Sequence, residues 1–125
     1  MRAGLWLVCV MADGQAMQLV QHALRVQPAM ERHWRVLHLD TVSARYASQA
    51  VRKDLEQALE LARREGAQIV QASLSRNAGS ELMAQIAQQA QGGGVSDLLL
   101  GDLATGNVYW PGFGERLSDF TELLR

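Results

Sequence analysis

Two short segments of the sequence combine aspartate with glycine, as many ligand-binding loops do. Met11 ends one apolar run, which Asp13 and Gly14 follow, and Gly101 ends another, which Asp102 follows. Glycine lets a backbone approach a phosphate closely, and N–H groups at a helix N-terminus attract anions. Both segments are therefore candidate ligand-binding sites. For Asp13 and Gly14 the alternative is a turn that only caps the helix after them.

His38 and Asp40 form another candidate pair. They stand two residues apart in a predicted strand, so their side chains share one face of it. There they would line the end of the strand, although the sequence favours a structural role for them. His22, His33 and His38 share no metal-ligand spacing with a carboxylate, so we predict no metal site.

Segment 108–113 is the most unusual in the chain. Tyr109, Trp110 and Phe113 fall within five residues of a loop predicted between Asp102 and Phe113. Exposed aromatic side chains mark ligand stacking or a partner surface. The alternative, which the sequence leaves open, is that they pack back over the edge of a sheet. We treat the three aromatic residues as a candidate interaction loop.

No group of residues in the sequence has the spacing of a catalytic set. Cys9 lies inside an apolar strand, where a buried structural thiol is expected. The serines have neither a Gly-x-Ser-x-Gly elbow nor a matching histidine and acid. A single cysteine also excludes a disulfide within the chain and a cysteine-cluster zinc site. We therefore predict that this chain is not an enzyme.

Length and charge restrict the partners of the chain. It has 125 residues and a net charge of −1, which predicts one domain over residues 1–125 and no nucleic-acid partner held by bulk charge. No apolar run approaches the roughly 20 residues of a membrane-spanning helix. We expect a soluble, cytoplasmic, globular domain.

Strands and helices alternate along the predicted elements. The strands are predicted at residues 5–11, 34–39, 68–74 and 97–101, and the apolar stripes of the helices at 16–24, 51–62, 82–90 and 113–124. Alternation of this kind predicts right-handed crossovers and a three-layer α/β/α fold, Rossmann-like, around a parallel sheet.

The composition of the strands predicts their order in the sheet. The first and fourth strands are the most apolar, which favours central positions and an order of 3-2-1-4. The partly polar third strand then forms an edge. Ligands of open α/β sheets bind at the carboxyl ends of the strands where the order reverses, here strands 1 and 4.

Four pieces of the sequence resemble the universal stress protein family in order and spacing. They are Leu7–Val10, Val36–Asp40, Glu65–Val70 and Asp97–Gly101. Within that family the chain looks most like the domain in the cytoplasmic part of Kdp-type osmosensitive potassium sensor kinases. The resemblance implies a regulatory or sensory domain of two-component signalling that acts through ligand or partner binding. Its partner would be a kinase domain or a second copy of the chain.

Nucleotide-binding members of that family carry a glycine motif after strand 4, ending in glycine followed by Ser or Thr. This chain has Gly101, Gly106 and Gly114 in the corresponding region, but Glu115 follows the last of them. A carboxylate at a helix N-terminus satisfies the helix dipole itself and repels a phosphate. Binding of ATP or a cyclic dinucleotide in the crevice between strands 1 and 4 is the alternative function.

The family usually has a fifth strand after the final helix, and this sequence stops at Arg125, where that strand would begin. We therefore expect either a fragment of a longer sensor kinase or a four-stranded domain. The fifth strand would be missing, and strand 4 would become an apolar edge. An exposed apolar edge strand pairs readily with another chain, so we expect self-association through this edge or through the aromatic loop.

Overall fold

The computed structural model describes residues 5–27, 33–73, 84–86, 88, 95–102 and 106–110. Five strands, two α-helices and a 3-10 helix account for most of them. In chain order they are β1 (Leu5–Val10), α1 (Ala16–Val26), β2 (Trp34–Asp40), the 3-10 helix (Val42–Tyr46), α2 (Gln49–Arg64), β3 (Gln68–Ser73), β4 (Val95–Asp102) and β5 (Gly106–Trp110).

The strands form one sheet in the order β3-β2-β1-β4-β5. The first four strands of that order are parallel, and β5 runs antiparallel to β4. The predicted parallel order of 3-2-1-4 is therefore confirmed, with β1 at the centre and β3 at an edge. The fold is a Rossmann-like three-layer α/β fold.

The central strand is buried on both faces, which explains its continuous apolar run. All six residues of β1 are buried. Trp6, Val8 and Val10 belong to a core cluster shared with α1 and α2. Leu7 and Cys9 alternate with them and so point to the opposite face, where they are also buried. A strand covered on both sides needs apolar residues at every position.

Helices α1 and α2 cover one face of the sheet. The residues that they bury are Ala16, Leu19, Val20 and Ala23 from α1, and Leu55, Ala58 and Ala62 from α2. Small alanine side chains let both helices approach the sheet closely. The indole Nε1 of Trp34 donates a hydrogen bond to the carbonyl oxygen of Glu65 at 3.1 Å, which joins β2 to the end of α2. Gly66, with φ of +90°, then reverses the chain toward β3.

The opposite face of the sheet is also buried. Leu7, Leu37, Leu39 and Leu98 are all at most 1 % exposed. Residues 84–86 and 88 are helical, within the segment where a third helix is predicted, and Ile86 among them is fully buried. The predicted final helix lies outside the described residues.

The expectation of a loop between Asp102 and Phe113 is wrong for residues 106–110, which form β5. β4 pairs with β1 on one side and with β5 on the other, so the expected open edge at strand 4 is also wrong. Val108, Tyr109 and Trp110 are β-branched and aromatic, and such residues favour strands. β4 and β5 are consecutive along the chain and pair antiparallel from Leu98 and Trp110 to Asp102 and Gly106.

Candidate functional site

The carboxyl ends of three parallel strands meet at one edge of the sheet. Val10, the last residue of β1, pairs with His38 of β2, and Cys9 pairs with Leu100 of β4. Each predicted site segment therefore begins at this edge, which we call the carboxyl edge. The segments are the turn 11–15 after β1, His38 and Asp40 on β2, and Gly101 and Asp102 on β4.

The turn after β1 is held by its own aspartate. Asp13 Oδ1 accepts a hydrogen bond from the backbone N–H of Gln15 at 2.9 Å, in the manner of an Asx turn. Gly14 has φ of +81°, which favours glycine, whereas a Cβ there would lie 3.7 Å from Val51 Cγ2 in ordinary contact. Asp13 and Gly14 therefore have a clear structural role as a helix-initiating turn.

The N-terminus of α1 is capped by a carboxylate from the neighbouring helix. Asp54 Oδ2 on α2 accepts hydrogen bonds from the backbone N–H groups of Ala16 at 3.0 Å and Met17 at 3.4 Å. Gln15, at the N-cap position, makes no capping bond with its side chain. A helix N-terminus at this edge is where a phosphate binds in many α/β folds. Here a carboxylate of the chain takes that position.

The sequence analysis does not identify Asp54, although this residue caps the N-terminus of α1. It lies 38 residues from Ala16, and on α2 it borders the apolar stripe rather than standing in it. A capping residue is usually sought next to the helix that it caps. No local pattern in the sequence therefore identifies this contact.

His38 and Asp40 share one face of β2, as their spacing predicts. They alternate with Leu37 and Leu39, which puts them on the face that α1 and α2 cover. Burial lowers the pKa of His38, and the Asp40 carboxylate opposes that shift by favouring the charged imidazole. Because burial is the larger effect, the imidazole of His38 is neutral at pH 7.

The β4 side of the edge is a hairpin rather than an open loop. Gly101 pairs with Asn107, and Asp102 pairs with Gly106. The backbone of these candidate ligand residues therefore belongs to the sheet. Gly114 and Glu115, the other candidates from the glycine region, lie outside the described residues.

Two of the three aromatic residues of the predicted interaction loop lie in β5 instead. Tyr109 is in register with Leu99, and Trp110 is in register with Leu98. Their backbone extends the sheet beyond β4, which corrects the prediction that they stand in a loop. Phe113 lies outside the described residues.

Cys9 has the properties of a structural thiol. It is 1 % exposed, and burial raises its pKa to about 12. The nucleophilic form of cysteine is the thiolate, which this environment suppresses. Within the described residues, no three His, Cys, Asp or Glu side chains come together in a way that could hold a metal ion.

An exposed basic surface follows β2 and was not predicted. Tyr46, in the 3-10 helix, is 86 % exposed, and Arg45 beside it is also exposed. Arg52 Nη2, from the first turns of α2, donates a hydrogen bond to the carbonyl oxygen of Arg45 at 2.7 Å. Ser48 begins α2 by accepting a hydrogen bond from Val51 N at 3.2 Å. The 3-10 helix is thereby joined to the start of α2.

No family model matches this chain, and no curated protein matches it. None of the helices in the described part of the chain is long and apolar enough to cross a membrane.

Proposed function

We propose that this chain is a regulatory or sensory domain without catalytic activity, similar to the universal-stress-protein-like input domain of potassium sensor kinases. It acts by contact with a partner, which is a kinase domain or a second copy of the chain. By the same resemblance, we propose that it works in the cytoplasm. The observation that supports this function over nucleotide binding is the carboxylate of Asp54 at the N-terminus of α1.

The β1 side of the crevice does not fit a phosphate. The backbone N–H groups of Ala16 and Met17 already donate to Asp54, and that of Gln15 donates to Asp13. A phosphate approaching these groups would meet two carboxylates at short range. Like charges in a partly buried site repel strongly, so a nucleotide held here would first have to displace Asp54.

Side chains with catalytic potential at this edge also favour a regulatory role. The thiol of Cys9 is buried and protonated at neutral pH. His38 is half-buried on the face that packs against α1 and α2. A general base must reach the proton that it abstracts, and burial against helices limits that access.

Thermal denaturation with added nucleotides tests the choice between contact and nucleotide binding. We expect ATP, AMP and cyclic di-AMP to shift the melting temperature by less than about 1 °C, because a chain that binds no ligand gains no stability from it. A stabilisation of several degrees, removed by the substitution Gly114→Trp, would instead establish the nucleotide-binding alternative.

A domain exchange tests the regulatory role directly. The stress-protein-like domain of a Kdp-type sensor kinase is replaced with this chain, and autophosphorylation is measured at low and high potassium. We expect the response to potassium to be retained, relative to a kinase from which the domain is deleted. A chimera that matches the deletion, although circular dichroism shows the inserted chain to be folded, would contradict the proposal.

A further inference from the structure

The connection from β2 into α2 carries a concentration of positive charge. Residues 41–53 contain three basic residues and no acidic residue, and the two carboxylates that flank them, Asp40 and Asp54, are half-buried. Asp54 is engaged as the cap of α1. Arg45, Arg52 and Lys53 are these three, and all of them are exposed. The N-terminus of α2 lies in the same segment and adds the positive end of its helix dipole.

Glu56 stands one helical turn from Arg52 but forms no ion pair with it in the described part of the chain, in contrast to the carboxylate at the other end of α2. There Arg63 and Arg64 both contact Glu60, at 3.3 Å and 4.0 Å. In the described part of the chain, no ion pair joins a carboxylate to any of the three cations of segment 41–53. Their charge is therefore available to an outside partner.

Tyr46 adds an exposed aromatic side chain next to Arg45. Among the large hydrophobic side chains of the described residues, that of Tyr46 is the exposed one, with 86 % of its surface accessible. The hydrogen bond from Arg52 to the Arg45 carbonyl ties the backbone beside it to α2. Tyrosine and arginine are enriched among residues that dominate protein–protein binding.

We propose that Tyr46 and the three cations, together the Tyr46 surface, form a docking site for an acidic segment of a partner polypeptide. The proposal rests on the proposed function, because it gives the chemistry of the partner. Small molecules prefer concave sites, whereas this surface is exposed throughout. Binding to an anionic membrane would be favoured by about 1 kcal/mol for each basic residue. With three cations, that binding free energy is too small for stable attachment.

Fluorescence anisotropy with a labelled peptide of alternating glutamate and leucine tests this docking site on the full chain. We expect the peptide to bind, and the affinity to fall by at least about fivefold in Tyr46→Ala and in Arg45→Ser. Tyr46→Phe keeps the ring and should retain most of the affinity. Arg63→Ser is the matched control, since it removes an exposed but paired arginine from the other end of α2.

Three results would overturn the proposal. One is equal binding of the corresponding lysine–leucine peptide, and another is an equal loss of affinity in Arg63→Ser and Arg45→Ser. The third is a Tyr46-dependent association with phosphatidylserine vesicles or single-stranded RNA but not with the acidic peptide. If the chain binds neither nucleotide nor acidic peptide but still restores the potassium response in the chimeric kinase, the docking site is wrong. The proposed function is then retained.

Discussion

At the scale of single residues, the main feature of the carboxyl edge is that two carboxylates accept hydrogen bonds from its backbone N–H groups. Asp13 and Asp54 both accept hydrogen bonds from the backbone where α1 begins. The sequence identified Asp13 because its partner is two residues away. It did not identify Asp54, whose partner is 38 residues away, because spacing along a chain reports only local contacts. His38 was identified from its strand position, but its protonation depends on burial.

The lowered pKa of His38 predicts a loss of stability in mild acid. A histidine whose pKa is lowered on folding contributes stability above its unfolded value of 6.5, and this contribution is lost as pH falls through the folded pKa. We expect the free energy of unfolding to decrease below pH 6.5, and His38→Gln to flatten that decrease. Urea denaturation across pH 5 to 8 measures the effect.

The control for this pH experiment is His33→Gln, which changes an exposed histidine immediately before the same strand. It should leave the pH dependence as in the parent chain. If His33→Gln flattens the curve and His38→Gln does not, the role assigned to His38 is wrong.

At the scale of elements, the sequence predicts best where periodicity and burial agree. β1 and α2 appear where the apolar run and the apolar stripe place them, since each buries the residues that define its pattern. The sequence does not indicate β5 clearly because residues typical of loops border it: Gly106 begins the strand, and Pro111 and Gly112 follow it. The signal in the sequence for β5 is the run of β-branched and aromatic residues from Val108 to Trp110, which favour strands.

The contact between Asp54 and α1 predicts a stabilising link between two helices. Asp54→Ala leaves two N–H groups of α1 without their acceptor, and the loss of a helix cap costs about 1–2 kcal/mol. Asp54→Asn keeps an acceptor oxygen without the charge and should cost less than Asp54→Ala. Chemical denaturation followed by circular dichroism measures both.

Glu56→Ala is the matched control for the helix link, because it removes an exposed carboxylate from the same helix. We expect it to change the free energy of unfolding by less than about 0.5 kcal/mol. Equal destabilisation by Asp54→Ala and Glu56→Ala would show that the cap contributes nothing specific.

At the scale of the whole molecule, the expected site of self-association is β5, because β5 covers the edge of β4. β5 is the last strand of the sheet in the described part of the chain, and it carries no charged residue. At the other end of the sheet, β3 exposes Gln68, Gln71 and Ser73. Polar edge strands resist pairing with another chain, whereas uncharged strands rich in β-branched and aromatic residues favour it.

Analytical ultracentrifugation checks this expectation. We expect the chain to form a dimer at high micromolar concentration, and Tyr109→Lys to shift it toward the monomer, because charge on an edge strand opposes pairing. Gln68→Lys is the control at the opposite edge and should leave the dimer intact. A parent chain that sediments as a clean monomer, or a dimer broken only by Gln68→Lys, would exclude an interface at β5.

The long-range cap on α1 also has a consequence for the order of folding. As the ribosome synthesises the chain, Ala16 emerges 38 residues before Asp54. The carboxylate that accepts from the first turn of α1 is therefore absent until α2 is synthesised. A nascent chain that ends before residue 54 must leave those amides to water. The cap that Asp54 provides for α1 can therefore form only after α2 has been made.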